Sequence, residues 1–352
     1  MSSTPTTDVP PAPADAGPAP ADGRGGARLS RFWTEGPGRS IGLVAVLAIL
    51  VVVGTVTAGD RFLSTDNLVN VLTLGSIIAV VSVGMTFVII GGGIDLSVGA
   101  LVALASVWCT TVATQEMAEQ YGFWVMAGCA LLVGAGAGAV NGLAIAYGRV
   151  VPFIATLAML ASARGLAELI SDRRSQLVTV DSFTDVFRAD VLGVPVAVVI
   201  TALVALAGWV LLNRTTFGRR TFAVGGNAEA ARLAGIDVKR HTFWLYVLVG
   251  VCCGIAAIMI TARTTTGTST HGLFYELDAI AAVVIGGALL TGGRGTITGT
   301  LLGVLVFTVL TNVFTLNNLD TATQNVAKGA IIVAAVLVQQ RLSTPLRLRG
   351  PG

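Results

Sequence analysis

From Leu68 to Ala113 the chain carries a single charged residue, Asp95, set in the stretch GGGIDLSVGA, residues 91–100. A carboxylate in hydrocarbon costs about 2.5–3.5 kcal/mol on insertion scales. A run this long and this apolar therefore folds only where its surroundings are apolar too. Composition decides which surroundings. Of the 352 residues, 54% are hydrophobic and 12% charged, and mean hydropathy is +0.81, against about 25% charged in a soluble domain. A soluble fold could not cover that much apolar surface, so the solvent is a bilayer. The net charge of +3 and the lack of a basic cluster interleaved with aromatics argue against nucleic acid as a partner.

Residues 1–38 are rich in Pro, Ala and small polar residues, a composition that cannot bury enough surface to fold. They read as a disordered cytoplasmic tail. Residues 39–342 read as an all-α, polytopic membrane domain, and 343–352 as a short basic cytoplasmic tail. A spanning helix needs about 20 apolar residues. Ten segments qualify: 41–59, 67–90, 94–114, 122–147, 151–170, 191–212, 242–262, 277–291, 296–316 and 324–340. The 277–291 segment is short enough to be a hairpin or a broken helix. Arginines and lysines concentrate on the side that holds both termini, which places N- and C-termini in the cytoplasm. An ungapped offset of 202 aligns Gly84, Gly91 and Gly93 with Gly286, Gly293 and Gly295. This hints at related halves, although both segments run in the same direction in this topology.

Cys109, Cys129, Cys252 and Cys253 lie in apolar runs without metal-ligand spacing, and neither His241 nor His271 has a second ligand type at i+3 or i+4. No metal site is expected. The histidines read as interfacial or loop residues.

Two features carry function. In the first, Gly91, Gly92 and Gly93 permit a break that a membrane tolerates only where protein or a water-filled cavity satisfies the backbone. Asp95 and Ser97 then either line a path or serve a tight hairpin whose aspartate caps the next helix. The second is the cytoplasmic loop 213–241. Within it Asn227 is a good N-cap, Glu229 suits the first turn, Ala230, Ala231 and Leu233 form helix, and Gly235 suits a left-handed C-cap. That short helix is too small to build a core, so it reads as a piece that docks in another protein's groove. Membrane lipid is the alternative surface for it.

Few polar residues remain inside the spans. Arg164 and Glu168 stand at i, i+4 and face one side, as an intramembrane ion pair. Asn141, Thr156 and Asn312 can offer hydrogen bonds either to cargo or between helices. Phe153 can stack on a sugar face or simply pack.

Four stretches occur in order: GGGIDLSVGA, VPFIATLAMLASARG (151–165), TFAVGGNAEAARLAGIDV (221–238) and IGGALLTGGRGTITGTLLGVL (285–305). In this the chain resembles permease subunits of bacterial ATP-binding-cassette sugar importers of the ribose, xylose and galactose type, over roughly residues 40–340. The resemblance implies that the segment with Gly226, Asn227, Glu229, Ala230, Ala231, Leu233 and Gly235 is the coupling helix for a separate ATPase subunit. It further implies a second permease copy, an extracytoplasmic sugar-binding protein, a place in the bacterial cytoplasmic membrane, and ATP and Mg held by the ATPase rather than here. No GxxxxGK[ST] stretch is present in the chain, so it is read as a transport subunit and not an enzyme. Asp95, Ser97, Asn141, Phe153, Thr156 and Asn312 are then the expected path residues. Branched-chain amino-acid or nucleoside permeases of the same superfamily are the nearest alternative. A proton-coupled secondary transporter using Asp95 or Arg164–Glu168 is the rival from another class. It leaves the AEAARLAG loop without a task.

Overall fold

The structure is a computed structural model that describes residues 37–343. The expected tails, 1–38 and 343–352, fall almost wholly outside the described residues. Seven helices are long and apolar enough to cross a membrane: α1 (Pro37–Ala58, apolar from Ile41), α3 (Thr65–Ile90), α6 (Trp124–Ala146), α7 (Pro152–Ile170), α9 (Val196–Arg214), α12 (Val238–Thr264) and α14 (Ile297–Leu316). A short α2 (Asp60–Leu63) links the first two.

The remaining three of the ten expected segments differ. The 94–114 segment is not one helix. Helix α4 (Val98–Cys109) ends at Thr110, and α5 (Val112–Tyr121) leaves at 62°, so the pair makes at most an eighth span. The bend has a local cause. Thr111 Oγ1 caps α5 by accepting from Thr114 N at 3.4 Å, and the following TQEMAEQY is polar. The 277–291 segment holds an 11-residue helix, α13 (Tyr275–Ile285). That is about 16 Å long, half the hydrocarbon thickness. The last, within α15 (Thr321–Ser343), is helical but opens with Gln324, Asn325 and Lys328 and is not among the seven.

Packing follows burial. The apolar windows of α3 and α12 are 83% and 67% buried, whereas those of α1, α7 and α9 are 17% buried and present their sides to surroundings. The closest pairing is α6 on α12. A Cβ on Gly134 would strike the backbone of Gly250 and Gly254, and one on Gly138 the Tyr246 carbonyl. Glycine at these crossings lets the two backbones touch, which is how helices pack when lipid removes the hydrophobic drive between them. Strands are minor among the described residues. β1 (Gln176–Leu177) pairs antiparallel with β4 (Thr266–Gly267), and β2 (Asp190–Val191) with β3 (Val194–Pro195). Between β1 and β2 lies α8 (Asp181–Arg188).

An architectural repeat underlies this arrangement, and it differs from the glycine match at offset 202. The spanning helices α3 and α12 are each followed by an irregular return, residues 91–97 and 265–274, which leads into a short helix, α4 or α13. The two short helices begin against each other, Gly99 on Gly272. They then run apart. The end of α4 reaches Gly267, and the loop after α13 reaches the end of α3, where Gly293 N donates to Ile90 O at 2.8 Å. Ala79, near the middle of α3, packs on Ala282 and Val304, so α13 lies along one half of α3.

Candidate functional site

The first return is wired by its own residues. Helix α3 stops as Gly92 turns left-handed, at φ 83°. Asp95 Oδ1 accepts from Ser97 N at 2.8 Å and from Ser97 Oγ at 2.6 Å, and Asn141 Nδ2 on α6 donates to Ser97 Oγ at 3.0 Å. Asp95 therefore holds the turn at the positive end of α4, three residues before the helix begins at Val98. Tyr246 Oη on α12 donates to Ile94 O at 3.3 Å. Three expected path residues thus form one hydrogen-bonded chain, and each is at most 1% exposed. Asp95 Oδ2 is buried without a partner among the described residues.

The second return is held from outside. Arg164 on α7 donates through Nη1 to the carbonyls of Ser269 and His271, the latter at 2.9 Å. The His271 ring bridges Ser106 Oγ on α4 at 3.1 Å and Thr264 Oγ1 at 3.3 Å. Helix α13 is then pinned to α15, with Lys328 Nζ 3.2 Å from Asp278 Oδ2 in a largely buried pair.

Several sequence expectations change here. Arg164 and Glu168 do not close an ion pair. The half-buried guanidinium takes the unsatisfied carbonyls of the return, and Glu168 lies 3.4 Å from Arg173 instead. His241 and His271 are both buried, at 6% and 7% exposure, the first in the opening turn of α12 and the second in the 265–274 return. Thr156 is buried and bonds back to Pro152 O of its own helix at 2.9 Å, whereas Phe153 is exposed. Asn312 on α14 exchanges two hydrogen bonds with Asn67 on α3, at 2.7 and 3.1 Å, as an interhelix fastener. Sequence reading missed Asp278–Lys328 and the roles of His271 and Gly272. The one available signal was a lysine lodged in an otherwise apolar segment.

The loop 213–241 holds two helices where one was expected, α10 (Thr216–Gly226) and α11 (Ala228–Leu233). Asn227 caps α11, its Oδ1 accepting from Ala230 N at 2.9 Å. Gly235, at φ 83°, ends it in a Schellman turn in which Ile236 N donates to Ala231 O at 3.0 Å. Ala231 is buried, Leu233 is exposed, and Glu229 pairs with Arg232 on the open face. The Arg232 hydrogen bond, and then its charge, hold the Glu229 carboxyl below its ordinary range. The loop is seated by backbone. Gly225 lies against Ile90 O and Gly293 N, and Gly292 against Gly92. The first return, the end of α10 and the loop after α13 therefore meet in one place without intervening side chains.

Comparison with known proteins accords with this arrangement. Residues 67–336 match the family model described as branched-chain amino acid transport system / permease component. The ribose import permease protein RbsC of Bacillus subtilis is 40% identical over 319 residues, 89% of this chain and 96% of that one. The protein of the same name from Haemophilus influenzae is 35% identical over 321 residues, 90% and 96% of the two chains. The L-arabinose ABC transporter permease protein AraH of Azospirillum brasilense is 36% identical over 326 residues, 93% of each. No solved structure matches the chain. With these matches over most of its length, and with helices that can span a membrane, the chain belongs to the family of transport-system permease components.

Proposed function

We propose that this chain is the subunit through which a monosaccharide crosses the bacterial cytoplasmic membrane in an ATP-driven importer. An extracytoplasmic binding protein delivers the sugar. A separate ATPase, which holds ATP and Mg, docks on α11, and a second copy of the permease completes the path. The observation that carries this reading is the exposed, capped α11, which follows directly on α10, whose Gly225 meets the end of α3 and the loop after α13 by bare backbone, together with relatives whose names specify sugars. Counting the α4–α5 pair, α13 and α15 brings the membrane-embedded segments to ten, with both termini cytoplasmic. The path runs beside the meeting point of α4 and α13. Asp95, Ser97 and Asn141 hold one wall, while Thr156, Phe153 and Asn312 belong to its surroundings. The chain supplies no catalytic group.

The test is affinity capture of the tagged chain from native membranes, followed by sugar uptake in vesicles. An ATPase should come down with the wild type and be lost with Glu229→Arg, which reverses charge on the open face of α11. Retention of the ATPase by that variant would remove α11 as the dock. The family description names branched-chain amino acids, so leucine and ribose compete in the uptake assay. Inhibition by leucine alone would replace sugar as cargo.

A further inference from the structure

Between α10 and the first two turns of α12, beside the end of α11, lies a cavity of about 380 Å³. Its walls include Phe217, Arg220, Asp237, Arg240, His241 and Trp244. Two of its groups are already committed. Asp237 turns its carboxylate to the start of α12, where Oδ1 accepts from Arg240 N at 3.0 Å. The His241 ring lies 3.0 Å from Thr221 Oγ1 and against the Phe217 ring at 4.6 Å between centroids. The guanidiniums of Arg220 and Arg240 are exposed, and among the described residues neither makes an ion pair or a side-chain hydrogen bond. The cavity thus has an aromatic floor and two spare cations at its rim.

Its depth narrows the choice of ligand. Trp244 is 47% exposed nearly two turns into a span, and its ring packs edge-on to Phe243, which meets Tyr147 in turn. Such aromatic belts mark the headgroup level of a bilayer. Two guanidinium forks match phosphate oxygens, and basic pockets between helices at this level suit phosphate headgroups. The Trp244 face requires an apolar body joined to that anion.

We propose that this cavity seats the phosphodiester headgroup of an anionic phospholipid from the leaflet on the α11 side. Arg220 and Arg240 take the phosphate oxygens, and Trp244 lies along the glycerol and first acyl carbons. The lipid bridges α10 to α12 and so steadies the helix that carries α11.

The test uses the full chain in vesicles of phosphatidylcholine with increasing phosphatidylglycerol, one or the other lipid brominated on its acyl chain. Tryptophan quenching is read, and the Trp244 component is isolated by subtracting the Trp244→Phe signal. Brominated phosphatidylglycerol should quench that component at a several-fold lower mole fraction than brominated phosphatidylcholine. The Arg220→Gln, Arg240→Gln double variant should lose this preference. Arg214→Gln should keep it, because Arg214 lies over the Trp209 ring, outside the cavity. Should the double variant fail to insert, each single variant should lose at least half of the preference. Equal quenching by the two lipids, or full preference in the variants, overturns the proposal. Relief of quenching by millimolar glycerol phosphate would assign the cavity to a free phosphate and overturn the lipid.

Discussion

The two returns do the same job by opposite means. Residues 91–97 are satisfied largely from within, by an aspartate and a serine two positions apart, with Asn141 and Tyr246 added from neighbouring helices. Residues 265–274 have only a longer, exposed pair of that spacing, Thr268 with Thr270 at 3.2 and 3.4 Å, and draw on Arg164 from α7 and Ser106 from α4, while their helix draws on Lys328 from α15. A locally wired return keeps its shape wherever its neighbours move. A return tied from outside changes when its ties do. Of the two, the second is built to respond to movements of the surrounding helices.

The largest expected effect falls on the pin of the second unit. Lys328→Met leaves Asp278 as a largely buried charge without its partner, and loss of one member of such a pair costs about 3–5 kcal/mol. Thermal unfolding in detergent should show it. The double change with Asp278→Asn should recover most of the loss, and a single variant as stable as wild type would remove the pin. Next comes Arg164→Gln, which gives up charge-assisted bonds to two carbonyls, each worth about 1.5–3 kcal/mol. Amides of 268–274 should exchange hydrogen roughly 10- to 100-fold faster while those of 91–97 stay unchanged. Equal acceleration in both returns would end the contrast between them. The smallest is Ser97→Ala. Asp95 keeps the Ser97 backbone donor there, while its hydroxyl donor and the acceptor for Asn141 are lost, so the loss is about 1–2 kcal/mol and stays within 91–97 and the α6 turn at Asn141. A global drop in stability would mean that the first return, too, is tied into the whole.

The same contrast explains what the sequence discloses. The first return announces itself, because three glycines and a lone aspartate interrupt an apolar run and the satisfying groups lie close together in the chain. The caps of α11 are equally local, and Asn227 and Gly235 stand where helix-end chemistry puts them. The second return reads only as TTGTSTHGLF. Its anchors are about 100 residues away on α7, more than 150 away on α4 and 50 away from Asp278 on α15, and spacing along a chain carries no sign of them. Arg164 looked toward Glu168 because i, i+4 is the only partnership a sequence displays. Composition also does not show which segments cross in full, for a related reason. A half-membrane helix and a bent pair have the composition of a span without its length. Helix α10 carries three glycines in eleven residues, a composition that gives little helix signal.

The backbone seat at Gly225, Gly292 and Gly92 sets how these parts move together. A side chain between two segments is a soft spring, with torsions that absorb small displacements. Bare backbone has no such slack. A shift of α10 by an ångström therefore arrives at the end of α3 and at the loop after α13 undiminished and together, as in a train of gears without backlash. A methyl group added at Gly225 would not loosen that train but jam it, since it would collide with Ile90 O and Gly293 N at once.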